Sequence, residues 1–296
     1  MKVNWGPLIT AMVTPFDADL QVDYDAAGRL AEYLLDMGSD GVVVCGTTGE
    51  SPTLTKEEKT TLFRVVKEAA QGRGAVIAGT GSYNTAESIA LTQAAEEIGV
   101  DGVMLVCPYY NKPPQRALIA HFRTIAEATS LPVILYNVPS RTGRNVEAAT
   151  TCTLAQVENI VAIKEASGDL AQIAHIVSAT PADFLVYSGD DAFTLPLLAV
   201  GGYGVVSVAS HVAGREMKEL ITAFHQGNPG RAGELHRRLL PLFEVLFLPS
   251  SVNPAPVKAA LNLLGHSVGG LRLPLLPLNE EETAQVRQVL ESLELL

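Results

Sequence analysis

Apolar, β-branched runs recur along the chain at Leu8–Val13, Val42–Cys45, Ala75–Ala78, Val103–Val106, Val133–Tyr136, Ile160–Ile163, Phe184–Tyr187 and Val205–Val208. They lack polar alternation, the pattern of parallel strands covered on both faces. Between them, apolar residues return at helical spacing. Tyr24–Met37 places Leu30, Tyr33, Leu34 and Met37 on one face, and Thr55–Ala70 opens with Thr55 and Glu58 at the spacing of a capping box. Thr85–Ile98, Gln115–Thr129, Asp169–Ala179, Ala192–Val200 and Gly214–Gln226 continue the series, with a shorter helix at Glu147–Leu154. Eight strands, each followed by a helix, predict an α/β protein built as a (β/α)8 TIM barrel. A doubly wound open sheet would stop at about five or six strands and carry a GxGxxG turn, and no such turn follows a strand here.

The last predicted barrel helix ends near Gln226. Helical patterns at Arg231–Phe247, Ala255–Leu264 and Glu280–Leu293 follow, punctuated by Pro249, Pro254, Pro274 and Pro277. The expected organisation is a catalytic barrel over residues 1–226 and a C-terminal helical appendage, residues 227–296, packed on it. Glycine-rich turns fall just after predicted strands, at Gly46-Thr-Thr-Gly49, Gly79-Thr-Gly81 and Gly189-Asp-Asp191. Such turns need glycine for conformational reasons alone. In a barrel they also lie on the C-terminal rim, where barrel enzymes carry their chemistry.

Composition narrows the function classes. With 47% hydrophobic and 18% charged residues in 296, the chain has enough apolar surface for a large core. Its net charge of −11 and the lack of any Lys/Arg run argue against a nucleic-acid partner. No apolar stretch is long enough for a membrane span, and the first residues lack the features of a secretory signal. Cys45, Cys107 and Cys152 form no CxxC, and the six histidines form no HExxH or HxH. The expectation is a cytoplasmic protein that uses no metal.

Lys164 ends the run Ile160-Val-Ala-Ile163, so its stem starts in an apolar strand and its amine is expected at the barrel mouth. Desolvation lowers the pKa of a lysine, and a neutral amine attacks a ketone to form a Schiff base. The alternative is a structural pair with a carboxylate such as Glu165. Tyr136 ends the preceding strand and could shuttle a proton to chemistry at Lys164, or serve as a core aromatic. Arg141, in Val138-Pro-Ser-Arg-Thr-Gly143, suits bidentate capture of a carboxylate. In Gly46-Thr-Thr-Gly-Glu-Ser51 the glycines let backbone N–H groups approach an anion, and Thr47 and Thr48 add hydroxyls. Phosphate is the rival ligand there, but the lysine of a phosphate loop is missing. Tyr109 and Tyr110 are adjacent, so one could face the mouth and the other a subunit contact.

These features resemble the dihydrodipicolinate synthase family of the pyruvate-dependent class I aldolase superfamily. The resemblance runs from Gly6-Pro-Leu-Ile-Thr10 to Leu271-Arg-Leu-Pro274, and its discriminating pieces are GTTGES at Gly46–Ser51, PYYN at Pro108–Asn111 and YNVPSRTG at Tyr136–Gly143. It implies condensation of pyruvate with L-aspartate 4-semialdehyde, the first committed step of diaminopimelate and lysine biosynthesis. Lys164 would form the Schiff base. Thr47, Tyr136 and Tyr110 would form a proton relay, with Tyr110 supplied across a dimer interface. Thr48 with Thr47 would hold the pyruvate carboxylate, Arg141 the semialdehyde carboxylate, and the backbone at Gly189 and Val206 would line the pocket. No cofactor is implied beyond the covalent lysine adduct, and the expected assembly is a homotetramer made of two dimers. A related aldolase or lyase acting on a 2-keto-3-deoxy sugar acid is the alternative. Lysine-inhibited members carry two histidines and an asparagine where this chain has Lys56, Lys59 and Tyr83, alongside matching Ser51, Glu87 and Tyr109. Weak or absent lysine feedback is the expectation.

Overall fold

Each of the eight apolar runs forms a strand. In a computed structural model describing residues 1–296 they close into a parallel barrel in sequence order. The strands are β1 (Leu8–Ala11), β2 (Gly41–Val44), β3 (Ala75–Gly79), β4 (Gly102–Val106), β5 (Val133–Asn137), β6 (Ile160–Glu165), β7 (Leu185–Ser188) and β8 (Gly204–Ser207). β8 pairs with β1 through Ile9 and Val206, so the sheet has no free edge.

Side chains alternate between two apolar layers. Ile9, Val43, Ile77, Met104, Ile134, Tyr187 and Val206 fill the barrel interior. Leu8, Val42, Val44, Val76, Leu105, Val133 and Leu135 face outward into a larger core beneath the helices. Continuous apolar runs are what this two-sided burial requires.

The helices are α1 (Tyr24–Asp36), α2 (Lys56–Ala70), α3 (Thr85–Ile98), α4 (Gln115–Ala126), α5 (Pro139–Thr142), α6 (Ala148–Leu154), α7 (Leu170–Ala179), α8 (Thr194–Ala199) and α9 (Ser210–His225). Thr55 and Glu58 form the expected reciprocal cap on α2, and Asp23, Asn84 and Asp169 cap α1, α3 and α7. Two features differ from the sequence expectation. α9 begins at Ser210 and is kinked at Ala213, which has non-helical backbone angles, so the pattern starting at Gly214 marks only its second part. The loop after β5 contains the one-turn helix α5, too short to show a periodicity.

Three further helices follow: α10 (Pro229–Val245), α11 (Ala255–Leu263) and α12 (Glu280–Ser292). α10 lies along α9, and α11 packs against α9 and α12. Leu235, Leu239, Leu242, Val257, Leu261, Val286 and Leu290 join the same outer core as the barrel helices. No helix is long and apolar enough to cross a membrane.

Candidate active site

Lys164 and Tyr136 are register partners at the C-terminal ends of β6 and β5. Both side chains face inward, and the Lys164 amine lies 4.3 Å from the centre of the Tyr136 ring. They line a cavity of about 180 Å³ together with Thr47, Thr48, Arg141, Gly189 and, from the C-terminal segment, Phe247 and Asn253. Burial lowers the Lys164 pKa from 10.5 to about 7; the negative charge of Asp191 opposes this and Arg141 reinforces it. The structural alternative, a pair between Lys164 and Glu165, does not form. Glu165 points away from the cavity and accepts from Asn137, Ser167 and Gln172. A site of this kind makes the amine a competent nucleophile near neutral pH.

The turn after β2 is held in an unusual shape. Cys45 and Glu50 at its two ends have φ of +57° and +53°, a region that costs a side-chain-bearing residue energy. Gly49 sits where a Cβ would come within 3.1 Å of the Met12 carbonyl oxygen, tighter than side chains ordinarily pack, so a larger residue would push the two backbones apart. The Thr14 hydroxyl donates to the Gly49 carbonyl at 2.7 Å, and the Glu50 N–H donates to the Thr47 carbonyl at 3.0 Å. From the C-terminal segment, the Asn253 amide donates to the Thr48 hydroxyl at 2.9 Å, and the Arg272 N–H donates to Glu50 at 3.1 Å. The Lys258 amine lies 2.7 Å from the Glu50 carboxylate, and both side chains are buried. The turn thus brings Thr47 to Tyr136. Burial raises the Tyr136 pKa, while Arg141 and a hydrogen bond with Thr47 act in the opposite direction.

Arg141 projects from α5, and its side chain lines two adjoining cavities. Both also share Thr47, Tyr136 and Val138. Gly189 packs against the lysine stem: a Cβ there would lie 3.1 Å from Lys164 Cε and 2.7 Å from Ala166 Cβ. Val206 belongs to the inner barrel core, and the residue from that end of the barrel lining the cavity is Val208. Tyr110 is 90% exposed and reaches neither cavity of its own chain. Six of the eight expected residues therefore converge in one chain: Lys164, Tyr136, Thr47, Thr48, Arg141 and Gly189.

Two residues near the site escaped the sequence reading. Asn253 follows a proline-broken stretch with no motif, and only the fold carries it to the rim. Asp191 drew notice in the sequence only as part of a glycine-rich turn, and it does not cap α8. It accepts from the Ser207 hydroxyl at 2.5 Å and from the Val208 and Ala209 amides at 3.0 and 2.9 Å, joining the ends of β7 and β8. Outside the lysine cavity, Tyr83 meets Tyr109 edge-on at 5.0 Å, and Lys59 lies within electrostatic reach of Glu87.

Comparison with known proteins shows the family of the chain. A family model described as the Dihydrodipicolinate synthetase family matches residues 4–293. The chain is 58% identical to the 4-hydroxy-tetrahydrodipicolinate synthase of Moorella thermoacetica over 99% of its length and 100% of that protein. The crystal structure of the Cyanidioschyzon merolae enzyme with lysine bound superposes with a TM-score of 0.97 at 52% identity, covering 99% of both chains. The Bacillus anthracis enzyme does so with a TM-score of 0.95 at 51% identity, covering 98% of this chain and 99% of that one.

Proposed function

The chain belongs to the dihydrodipicolinate synthetase family, and from that premise we propose which of its residues carry the reaction. The reaction is the condensation of pyruvate with L-aspartate 4-semialdehyde to 4-hydroxy-tetrahydrodipicolinate. The observation that carries the residue assignment is Lys164: a buried amine with its pKa lowered to about 7, beside Tyr136 in a cavity at the barrel mouth.

In this reading the Lys164 amine attacks the ketone carbon of pyruvate, and loss of water gives an imine. The imine draws electrons from the adjacent methyl group, which loses a proton to become an enamine carbon. That carbon attacks the aldehyde of the second substrate, whose oxygen takes up a proton. The substrate's own amine then closes the ring on the imine carbon and releases Lys164. The hydroxyls of Thr47 and Tyr136 move the protons, and Tyr110 of a second copy of the chain completes the relay. The backbone at Thr47 and Thr48 holds the pyruvate carboxylate, Arg141 holds the semialdehyde carboxylate, and the backbone at Gly189 borders the bound substrates, with Val208 rather than Val206 beside them. Fixing both carboxylates brings the reacting carbons to near-attack distance, a large part of catalysis in a two-substrate condensation. The chemistry needs no metal or organic cofactor, because the lysine adduct is the electron sink.

Residues 1–226 act as the catalytic barrel and 227–296 as an appendage supplying Asn253, Lys258 and Arg272 to its rim. The working assembly is a homotetramer of two dimers in the cytoplasm. Borohydride reduction in the presence of pyruvate tests the assignment. The parent chain should gain the mass of a reduced pyruvate adduct, and Lys164→Ala should gain none. An adduct persisting on Lys164→Ala would overturn the reading. Turnover of a 2-keto-3-deoxy sugar acid with none of the semialdehyde would overturn the substrate assignment.

A further inference from the structure

The alternation of inward and outward side chains is interrupted once between the two strands that carry the reacting pair. β5 and β6 pair Val133 with Ile160 but Ile134 with Ala162, so Val161 is an extra residue in β6. Ile160 faces the outer core, Val161 and Ala162 both reach the inner one, and Ile163 faces outward again. Lys164 consequently comes inward and Glu165 outward. A strand without the extra residue would exchange the faces of these two neighbours.

The register beyond the bulge is tied at the strand ends. Lys164 lies opposite Tyr136, and Glu165 lies opposite Asn137. Asn137 and Glu165 are 0% and 2% exposed. The Asn137 amide donates to both Glu165 oxygens at 3.0 Å, and its own oxygen accepts from the Val146 N–H at 2.9 Å. Glu165 also accepts from the Ser167 N–H at 2.7 Å and from the Gln172 amide at 3.1 Å. Asn145, three residues after the end of α5, donates to Gln172 at 2.8 Å and accepts from Asn137 at 2.8 Å. A one-residue slip of β6 would move the Glu165 carboxylate away from every one of these donors and into an apolar barrel, where an unpartnered charge is costly.

We propose that Asn137 and Glu165 are positioning residues for the reaction: their buried pair locks the register after the bulge and so holds the Lys164 amine in the cavity beside Tyr136. Through Asn145 the same network steadies the segment that leaves α5, which carries Arg141. The inference rests on the reading of Lys164 as the imine-forming residue. Neither Asn137 nor Glu165 touches the reacting atoms.

Three variants test it: Glu165→Gln, Asn137→Asp and the two combined. The first keeps one acceptor oxygen but turns an amide donor toward the Asn137 and Gln172 donors, and the second sets two carboxylates against each other. The combined exchange restores a donor–acceptor pair, with the Asn145 and Gln172 amides turning over to match. The readout is the rate constant of borohydride-trapped pyruvate adduct formation per trappable site, followed by intact mass, with the thermal midpoint measured in parallel. Each single variant should slow trapping roughly tenfold to a hundredfold, the order of loss from a misplacement of about 1 Å. The combined exchange should recover to within a few-fold of the parent. A merely structural role would lower the thermal midpoint and the trappable fraction while leaving the rate constant per site unchanged, and that result overturns the proposal. Should Glu165→Gln fail to fold, Asn137→Ser provides the same comparison with the carboxylate kept, and parental trapping there overturns it equally. Pyruvate trapped on Lys164→Ala would instead remove the Lys164 reading on which the proposal stands.

Discussion

A lysine amine attacks a ketone only when unprotonated, and the desolvated position of Lys164 makes that form available near neutral pH. With its pKa brought to about 7, the rate of imine formation with pyruvate should climb through pH 7 and level off above it. A lysine with an ordinary pKa would keep climbing toward pH 10, and a trapping-rate profile distinguishes the two. The same shift predicts a stability trend. Below about pH 7 the amine is charged in folded and unfolded chains alike, and the cost of burying that charge is fully present. Between about 7 and 10.5 the unfolded chain binds the proton and the folded chain does not, so stability rises with pH across that window. Lys164→Met should therefore be more stable than the parent, with a margin widest below pH 7 and narrowing toward pH 10.5 in denaturant titrations. At another residue cluster, Lys59 lies within electrostatic reach of Glu87, and an incoming free lysine would meet the repulsion of a like-charged ammonium near that carboxylate. Steady-state assays with submillimolar lysine should show little inhibition; strong inhibition would remove this reading.

Single elements deliver these residues through their ends. β5, β6 and β7 finish at Asn137, Glu165 and Ser188, and the turns immediately beyond them hold Arg141, Ala166 and Gly189 against the cavity. Gly189 is required at this junction because the neighbouring Ala166 and the Lys164 stem leave no room for a methyl group. Gly189→Ala should displace the lysine stem and slow pyruvate trapping, at an overpacking cost of about 1–3 kcal/mol that urea denaturation would register. An unchanged trapping rate would mean that the stem shifts without consequence. The strands were legible in the sequence because burial on both faces leaves unbroken apolar runs, and the capped helices because Thr55–Glu58 and the polar caps are local chemistry. α5 was not, since one turn of helix has no periodicity, although the YNVPSRTG motif had already singled out its arginine. The bulge in β6 was also invisible, because Ile160-Val-Ala-Ile163 is apolar throughout and contains no sign of which residue is extra.

Across the whole molecule, the C-terminal helices form part of the framework of the site. Lys258 of α11 is 1% exposed, packs over the Phe16 ring at 4.1 Å and neutralises Glu50 in the turn that presents Thr47 and Thr48. Lys258→Met leaves that carboxylate buried without its partner and should cost about 3–5 kcal/mol of stability by chemical denaturation. A loss below about 1 kcal/mol would mean that the Arg272 amide and water suffice for Glu50. Net charge acts at this scale too. At −11 the overall field repels anionic substrates, so their capture falls to local groups: Arg141, the turn amides and Lys164. The sequence by itself determined the barrel, the order of its elements and the chemistry of the rim, because periodicity, caps and residue type act over a few neighbouring positions. The tertiary structure decided which way Lys164 points, what surrounds it and what braces it. Those outcomes depend on one extra residue in a strand and on partners such as Asn253 with Thr48 and Arg272 with Glu50, separated by 205 and 222 positions, which no local pattern can join.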